Sequence, residues 1–256
     1  MRIAIVTGAS SGMGKEFVKQ IDKLYKELDE IWVIARRKTQ LEQLQVNVRT
    51  PLRVFSGDLG EIEIYEKLET TLKEQTPNIR MLVNGAGYGK IGSVEQVSKA
   101  DKEILPHMID INCRALTKMT CLCLPYLQEG SRIINLASAS GFAPQSNFSV
   151  YAATKSYVLS FSRSLQRELK YKKIVVTAVC PGPVNTEFFE VAGQLVHPLK
   201  KIMIAEPDKV VKKALEDAKA GKVISIYGLT MKAAYIASKL LPTGLVMQAM
   251  EVTNKK

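Results

Sequence analysis

Two titratable side chains, four residues apart, form the clearest chemical pattern in the sequence. Tyr151 and Lys155 lie at positions i and i+4 of a stretch that is predicted to be helical, so both project from one face. A tyrosine with an ordinary pKa of about 10 is a weak base at neutral pH, and a nearby ammonium favours its phenolate. Ser138 lies just after a predicted strand, where its hydroxyl is able to polarise the same substrate oxygen. The set predicts general acid–base chemistry at an oxygen atom.

Short apolar runs alternate with amphipathic stretches along most of the chain. This alternation predicts βαβ units, and right-handed crossovers between them give a doubly wound parallel sheet with helices on both faces. We expect about seven strands in one α/β domain that covers residues 1–256. Such sheets bind ligands beyond the carboxyl ends of their strands. The predicted strands are 2–6, 31–34, 52–55, 81–83, 132–136, 174–179 and 223–226, and the main predicted helices are 12–28, 39–44, 62–72, 106–127 and 151–169.

A glycine-rich loop follows the first predicted strand and opens the first predicted helix. Its glycines, Gly8, Gly12 and Gly14, have the spacing GxxxGxG. Glycine lets the backbone turn tightly and approach a ligand closely, and the N-terminus of the following helix offers free N–H groups to a pyrophosphate. The loop therefore indicates a dinucleotide site, with a tight turn that binds no ligand as the alternative.

Two arginines, Arg36 and Arg37, follow the second predicted strand. In a dinucleotide site this position reads the adenosine ribose, where a carboxylate binds a 2′-hydroxyl and an arginine accommodates a 2′-phosphate. Ala35 stands where the carboxylate is expected, and a guanidinium has the shape that binds phosphate. The pattern favours NADP(H) over NAD(H), with two solvated surface arginines as the alternative. Asp58, after the third strand, is a candidate acceptor for the adenine amino group.

The composition describes a basic protein. The chain has 36 Lys and Arg against 25 Asp and Glu, which gives a net charge of +11. These basic residues are scattered among acidic ones at helical spacing, so we expect a solvated basic surface and no nucleic-acid partner. No apolar run reaches the roughly 20 residues of a membrane-spanning helix, and no signal peptide is recognised, so a cytoplasmic location is expected. The four cysteines lack zinc spacing and the chain has only two histidines, so no metal site is predicted.

Together, these patterns resemble the short-chain dehydrogenase/reductase family from Arg2 to about Thr186. The resemblance implies a Rossmann-type sheet with the strand order 3-2-1-4-5-6-7. It also implies an oxidoreductase that interconverts an alcohol and a ketone or aldehyde by hydride transfer. The matching stretches are Thr7-Gly8-x-x-x-Gly12-x-Gly14, Asn84-Gly85-Ala86-Gly87, Asp110-x-Asn112, Ser138, Tyr151-x-x-x-Lys155 and Pro181-Gly182-Pro183-Val184-Asn185-Thr186.

The resemblance implies a role for each matched residue. Tyr151 is the general acid/base, and Lys155 holds the nicotinamide ribose and lowers the pKa of Tyr151. Ser138 polarises the substrate oxygen, and Asn112 binds a water that relays protons through Lys155. The residues expected to bind the cofactor are Gly8, Ser10, Ser11, Gly12, Met13, Gly14, Arg36, Arg37, Asp58, Leu59, Asn84, Ala86, Gly87, Tyr151, Lys155, Pro181, Gly182, Val184 and Thr186.

One departure from the family pattern lies in the glycine loop. Many NADP-using members carry a basic residue immediately before the second loop glycine, where this chain has Ser11. A 2′-phosphate would therefore rest on Arg36 and Arg37 alone. NADP(H) stays the expected cofactor because of these two arginines.

Two segments outside the motifs bear on the substrate. Residues 187–207 correspond to a substrate lid in the family, and the adjacent Phe188 and Phe189 indicate either an apolar substrate face or ordinary core packing. The tail at about 229–250 is apolar and Met-rich. We expect it to pack on its own domain or on a partner subunit of a homodimer or homotetramer, with peripheral membrane contact as the alternative. The region is loosely similar to members that act on hydroxysteroids, bile acids or 3-oxoacyl groups, so an apolar small-molecule substrate is expected.

A second function is consistent with the same fold. A fold alone does not define an activity, and the positive charge also suits a non-enzymatic dinucleotide sensor or a nucleic-acid-binding protein. The intact set of Ser138, Tyr151 and Lys155 weighs against this alternative, because a sensor has no need of it.

Overall fold

The computed structural model describes residues 1–193 and 204–252. Within them, seven parallel strands, numbered in chain order, form one sheet in the order 3-2-1-4-5-6-7. This confirms the doubly wound α/β fold that the sequence pattern predicts and the strand order that the family resemblance implies. The strands are β1 (Arg2–Thr7), β2 (Glu30–Ala35), β3 (Leu52–Ser56), β4 (Asn78–Asn84), β5 (Leu127–Leu136), β6 (Val175–Val179) and β7 (Ile224–Ser225).

Helices connect the strands and cover the sheet on both faces. A π-helical segment, Asp110–Ala115, joins the helices Ile104–Ile109 and Leu116–Cys123, and a short 3-10 turn, Ala139–Gly141, follows β5. The helices are α1 (Gly12–Leu24), α2 (Lys38–Leu44), α3 (Glu63–Gln75), α4 (Val94–Ala100), α5 (Ile104–Ile109), α6 (Leu116–Cys123), α7 (Ser149–Leu169), α8 (Phe188–Ala192), α9 (Pro207–Lys219), α10 (Leu229–Leu240) and α11 (Thr243–Val252).

Alternate residues of each strand point to opposite faces of the sheet, and each face has its own core. Ala4 and Val6 of β1 pack with residues of α1, α2 and α9, whereas Ile3 and Ile5 pack with residues of α3, α6 and α7. All four side chains are fully buried, as expected for a parallel sheet that is covered on both sides. The strand order reverses between β1 and β4, so the loops after these two strands border the crevice in which such sheets bind ligands.

The helix predicted over 106–127 is interrupted. It consists of α5, the π-helical segment and α6, and β5 already begins at Leu127. A π turn closes its hydrogen bond one residue later than an α turn and is often found at functional sites. Here Asn112 hydrogen-bonds both backbone polar groups of Tyr88, and these contacts from a distant loop hold the wider turn in place.

Two smaller differences concern helix boundaries. α1 ends at Leu24 instead of Leu28, and Leu28 still reaches the core from the loop that follows. The apolar pattern does not predict α4, but Ser93 and Gln96 form a capping box at its N-terminus. In such a box each side chain bonds the other residue's backbone N–H, which stabilises even a short helix.

The tail at 229–250 forms two helices, α10 and α11, which are separated at Pro242. Met231 and Tyr235 of α10 pack against a small apolar cluster that includes Phe142. No residue of α10 is fully buried. Among the described residues, no helix has the length and apolar character needed to cross a lipid bilayer.

Candidate active site

Tyr151 lies in the first turn of α7, and Ser138 follows the end of β5. Both side chains are buried, at 7% and 8% exposure, and their hydroxyls are hydrogen-bonded to each other. The Ser138 hydroxyl also accepts a bond of 3.1 Å from the backbone of Ser140, which fixes the loop after β5. Because Ser138 follows a strand and Tyr151 lies at the start of the helix that comes after it, the fold brings the two predicted hydroxyls together.

Burial controls the acidity of Tyr151. It raises the pKa of the phenol to about 12, and the hydrogen bond with Ser138 lowers it only in part. Lys155 is not among the groups that set this pKa: its Nζ lies 5.6 Å from the centroid of the Tyr151 ring and donates its hydrogen bond to the Leu136 carbonyl oxygen at 2.7 Å. That Lys155 lowers the pKa of Tyr151 stays a prediction.

Lys155 is a buried ammonium at the base of the site, with 5% of its surface exposed. Burial lowers its pKa to about 8, because a desolvated cation is disfavoured. The backbone of Gly87 passes close to it: a side-chain carbon on that glycine would lie 3.4 Å from Lys155 Nζ and 2.8 Å from Asn112 Oδ1. An ammonium has three donors, so the bond to Leu136 leaves Lys155 able to bind further acceptors such as ribose hydroxyls.

Asn112 makes three side-chain hydrogen bonds within the protein. Its Oδ1 accepts from the Tyr88 N–H at 3.0 Å, and its Nδ2 donates to the Tyr88 carbonyl oxygen at 2.9 Å and to Thr154 Oγ1 at 3.0 Å. Thr154 in turn donates to the Tyr151 carbonyl oxygen at 2.7 Å. The Asn112 amide is thus a structural link between α7 and the loop after β4, and its expected role in binding a relay water stays a prediction.

Aromatic rings enclose Tyr151. Phe148 stacks on it with the ring centroids 4.3 Å apart, and Phe188 of α8 lies 5.4 Å away on another side. Gly89 completes the enclosure, since a side-chain carbon there would lie within 3.0 Å of all three rings. Phe188 is half-buried and packs against Tyr151, so one of the two adjacent phenylalanines does line the site. Residues 194–203 of the predicted lid at 187–207 lie outside the described residues.

The glycine loop packs directly on the loop after β4. Gly8 adopts φ +69, and a side-chain carbon on it would lie 2.7 Å from the Gly85 carbonyl oxygen. Gly14 has no room either, because its side-chain carbon would collide with the Gly8 carbonyl. Thr7 Oγ1 accepts bonds of 3.0 and 3.1 Å from the backbone of Gly85 and Ala86. The sequence motifs contain Thr7, but only the structure shows that it joins the two loops.

The N-terminus of α1 is suited to an anion. Ser11 occupies the N-cap position without making a side-chain capping bond, and the first turn carries no acidic residue. The first N–H groups of a helix have no partner within the helix, and the helix dipole adds partial positive charge there. The site therefore fits a pyrophosphate at the end of the glycine loop. Thr186 borders the same loop, 3.2 Å from where a side-chain carbon on Gly12 would lie.

The two arginines lie at the rim, beyond the carboxyl end of β2. The Arg36 side chain is 74% exposed, with Nη1 3.6 Å from Asp58 Oδ2. Arg37 donates from Nε and Nη2 to Ser10 Oγ at 3.3 Å, and its Nη2 lies 2.9 Å from Glu187 Oε2. Arg37 thus bridges the glycine loop and the residue that precedes α8. Sequence reasoning missed Glu187, because the pairing joins residues far apart in the chain.

Several predicted cofactor residues contribute no exposed side chain. Asn84 is 2% exposed, and its Nδ2 donates to Asn135 Oδ1 and to Thr120 Oγ1, so its side chain ties strand ends together below the crevice. Leu59, Pro181 and Val184 are also buried. The expected contacts between these residues and a cofactor stay predictions.

The sheet order, the glycine loop at the reversal point and the Ser138–Tyr151–Lys155 group define a Rossmann-type oxidoreductase. The sequence model of the short chain dehydrogenases matches residues 2–194, and the chain belongs to this family. The match covers every motif on which the resemblance was based.

Three relatives illustrate the likeness. An uncharacterised oxidoreductase of Staphylococcus epidermidis is 32% identical over 191 residues, which cover 74% of this chain and 80% of that protein. A very-long-chain 3-oxoacyl-CoA reductase-B of Danio rerio is 31% identical over 220 residues, 83% of this chain and 67% of that protein. Among solved structures, a short-chain dehydrogenase of Sphingobium yanoikuyae in complex with NADPH is 27% identical, with a TM-score of 0.79 over 98% of this chain and 96% of that one.

Proposed function

We propose that the chain is an NADP(H)-dependent oxidoreductase that interconverts an apolar ketone or aldehyde and its alcohol, with Tyr151 as the general acid/base. The observation that carries the proposal is the buried, hydrogen-bonded pair of Tyr151 and Ser138 beside the Lys155 ammonium. Membership of the short chain dehydrogenase family supports it. The cradle of glycines and the uncapped N-terminus of α1 support a nicotinamide dinucleotide as cofactor.

The proposed reaction assigns one task to each side chain. A bound reduced nicotinamide supplies the hydride that reduces the carbonyl carbon. Ser138 donates a hydrogen bond to the substrate oxygen, and Tyr151 transfers its hydroxyl proton to that oxygen as the alcohol forms. Lys155 holds the ribose hydroxyls, and its positive charge stabilises the phenolate that remains on Tyr151.

The acidity of Tyr151 sets its resting protonation state. Burial raises its pKa further above neutrality, so the phenol is protonated at neutral pH. A protonated phenol is the form that donates a proton to a carbonyl oxygen, whereas alcohol oxidation requires a phenolate base.

The rim supports NADP(H) as the preferred cofactor. Arg36 and Arg37 follow β2, where the adenosine ribose of a dinucleotide is read, and both are exposed. Their guanidinium groups suit a 2′-phosphate, and no carboxylate stands at Ala35 to bind a 2′-hydroxyl. The bound NADPH of the Sphingobium relative is consistent with this choice.

An apolar substrate is supported by the rings around Tyr151. Phe148, Phe188 and Tyr88 belong to one apolar cluster with Tyr151, so the carbonyl group would reach the phenol through an aromatic passage. Displacement of Phe188 would open this passage, which agrees with a lid role for the segment that begins at Glu187. The fatty-acyl substrate in the name of the Danio relative fits such a passage. We further propose a cytoplasmic homo-oligomer, as expected from the sequence.

Replacement of Tyr151 by Phe tests the proposal. The variant keeps the ring packing but loses the proton, so kcat/KM for a panel of ketones is expected to fall by about 10²–10⁴-fold. NADPH consumption measures turnover, and NADPH fluorescence titration is expected to give a Kd within about twofold of wild type, since the hydroxyl is assigned to the substrate side. A Phe variant with near wild-type turnover would exclude Tyr151 as the proton donor.

The alternative of a nucleic-acid-binding protein or sensor rests on the net charge of +11. It predicts salt-dependent binding of DNA or RNA without turnover on any carbonyl of the panel. The turnover assay, together with a DNA- and RNA-binding assay at two salt concentrations, therefore separates it from the reductase.

A further inference from the structure

Helix α10 carries an apolar stripe that faces away from the protein body. Leu229, Ile236 and Leu240 are 81%, 56% and 77% exposed, and their spacing of seven and four residues puts them on one side of the helix. The stripe continues beyond the helix through Leu241 and Leu245, which are 50% and 55% exposed. A contiguous run of large apolar side chains in water is a feature of interaction surfaces.

The opposite side of α10 already has its partner in the protein. Met231 lies against Gly182, where a side-chain carbon would be 2.7 Å from its sulfur, and Tyr235 meets the ring of Phe142 with centroids 4.9 Å apart. Rotation of α10 to bury the stripe would remove these contacts. Packing on its own domain, one of the two arrangements expected from the sequence, therefore accounts for the inner face of α10 only.

The charges around the stripe have a single sign. Lys232 and Lys239 are exposed and lie seven residues apart, along one edge of the stripe. The sequence from 229 to 250 contains no Asp or Glu, and the whole chain carries a net charge of +11. If two copies paired symmetrically through this surface, their lysines would meet one another without acidic partners from α10. A lipid surface with anionic head groups complements both features. Its acyl chains match the apolar stripe, and its head groups match the lysine edge.

We infer that α10, together with Leu241 and Leu245, lies on an anionic lipid surface, as an amphipathic helix parallel to it. The leucine and isoleucine side chains enter the boundary between head groups and acyl chains, and Lys232 and Lys239 meet the lipid phosphates. The contact is peripheral. It is independent of the reaction proposed above, because none of the residues of the stripe contacts Tyr151 or Lys155.

Vesicle binding by the full chain tests this inference. Cosedimentation with vesicles of phosphatidylcholine alone is compared with vesicles that contain phosphatidylserine, at low and at physiological salt. We expect binding to the anionic vesicles that weakens as salt is raised. The double variant Ile236→Glu/Leu240→Glu is expected to reduce this binding at least tenfold, because it places two anions in the stripe.

Matched control variants distinguish an effect of the α10 surface from a general effect of added or removed charge. Val46→Glu adds a carboxylate at a residue that is 88% exposed and distant in sequence, and it is expected to bind vesicles nearly as wild type does. Lys232→Gln/Lys239→Gln is expected to weaken binding by about fivefold per lysine, the equivalent of about 1 kcal/mol each. The equally charged control Lys102→Gln/Lys172→Gln, at two other exposed lysines, is expected to have a smaller effect.

Two results would overturn the inference. One is equal vesicle binding by the tail variants and their controls. The other is an absence of vesicle binding together with a wild-type oligomer that Ile236→Glu/Leu240→Glu dissociates in sedimentation velocity, which would make the stripe an interface between copies. Unfolding midpoints of all variants show whether each is folded, and they are expected to match wild type because the altered side chains are exposed.

Discussion

At one end of the candidate cofactor cleft, Tyr151 and Lys155 are 7% and 5% exposed and hydrogen-bond to groups that the sheet holds in place. At the other end, Arg36 and Arg37 have side chains that are 74% and 42% exposed, and their partners include carboxylates on surface loops. The inner groups are positioned by burial, while the outer ones are positioned by interactions that water and ions are able to replace.

The difference separates the two tasks of the protein. Exposed ion pairs contribute about 0–1 kcal/mol, so a phosphate is able to displace the carboxylates from Arg36 and Arg37 at small cost. A buried ammonium, in contrast, keeps its partner, because leaving it unpaired in the interior is unfavourable. The proposed chemistry thus takes place at the buried end of the cleft, where Tyr151 and Lys155 are already held in position. Cofactor selection takes place at the exposed end, where a phosphate is able to replace the carboxylate partners of Arg36 and Arg37.

Replacement of Lys155 by Met, at the buried end of the cleft, is expected to have the largest effect on activity. The variant loses the ammonium that binds the ribose and stabilises the phenolate, so kcat/KM is expected to fall by about 10²–10⁴-fold. The steady-state rate of NADPH consumption measures this loss. Lys172→Met, at an exposed lysine outside the site, is the matched control and is expected to keep wild-type activity.

The same variant is expected to be more stable than wild type near neutral pH. Burial lowers the pKa of Lys155 to about 8 from 10.5, so folding disfavours its charged form. This cost is fully present below pH 8 and disappears as the pH rises from 8 towards 10.5. The difference in free energy of unfolding, from urea titrations, should therefore be largest at neutral pH and shrink above pH 8. A variant that loses both activity and stability would show that Lys155 is mainly a structural group.

The role of the exposed end of the cleft is tested by Arg36→Ala and Arg37→Ala. Each variant removes one phosphate ligand, so KM for NADPH is expected to rise about tenfold or more, while KM for NADH changes by less than about threefold. Arg49→Ala, at an exposed arginine after α2, serves as the control. Equal rises in KM for both cofactors would contradict the assignment of these arginines to the 2′-phosphate.

The sequence predicts the buried end of the cleft more completely than the exposed end. Apolar runs such as Ile31 to Ile34 are unambiguous strands, because both faces of a parallel sheet are buried. Once the strands are placed, Ser138 and Tyr151 are expected to lie close together beyond the carboxyl ends of the strands. The sequence also indicates the start of the short helix α4, because Ser93 and Gln96 have the spacing of a capping box.

What the sequence does not predict depends on contacts between distant residues. The π turn at Asn112 requires the backbone of Tyr88, and the raised pKa of Tyr151 results from its burial in the folded protein. The pairing of Arg37 with Glu187 likewise joins two loops that only the folded sheet brings together. A helix spacing places Lys155 near Tyr151, but it does not show that the Leu136 carbonyl takes the ammonium's hydrogen bond.

The smallest effect is expected at Glu187. Its carboxylate holds Arg37 at 2.9 Å, in competition with any phosphate that binds there. Glu187→Gln removes this competitor while keeping the side-chain size, so KM for NADPH is expected to fall by up to about fivefold, with NADH unchanged. The gain should shrink at high salt, which screens the exposed pair in the wild type.

A matched variant at another exposed ion pair completes the test. Glu129→Gln breaks the bond to Lys173 at 2.7 Å, and it is expected to leave both KM values unchanged because neither residue belongs to the cleft. If Glu187→Gln instead raised KM for NADPH, the carboxylate would be orienting Arg37 for the phosphate and not competing with it. The exposed end would then be preorganised as well, and the contrast between the two ends would lie in solvent exposure alone.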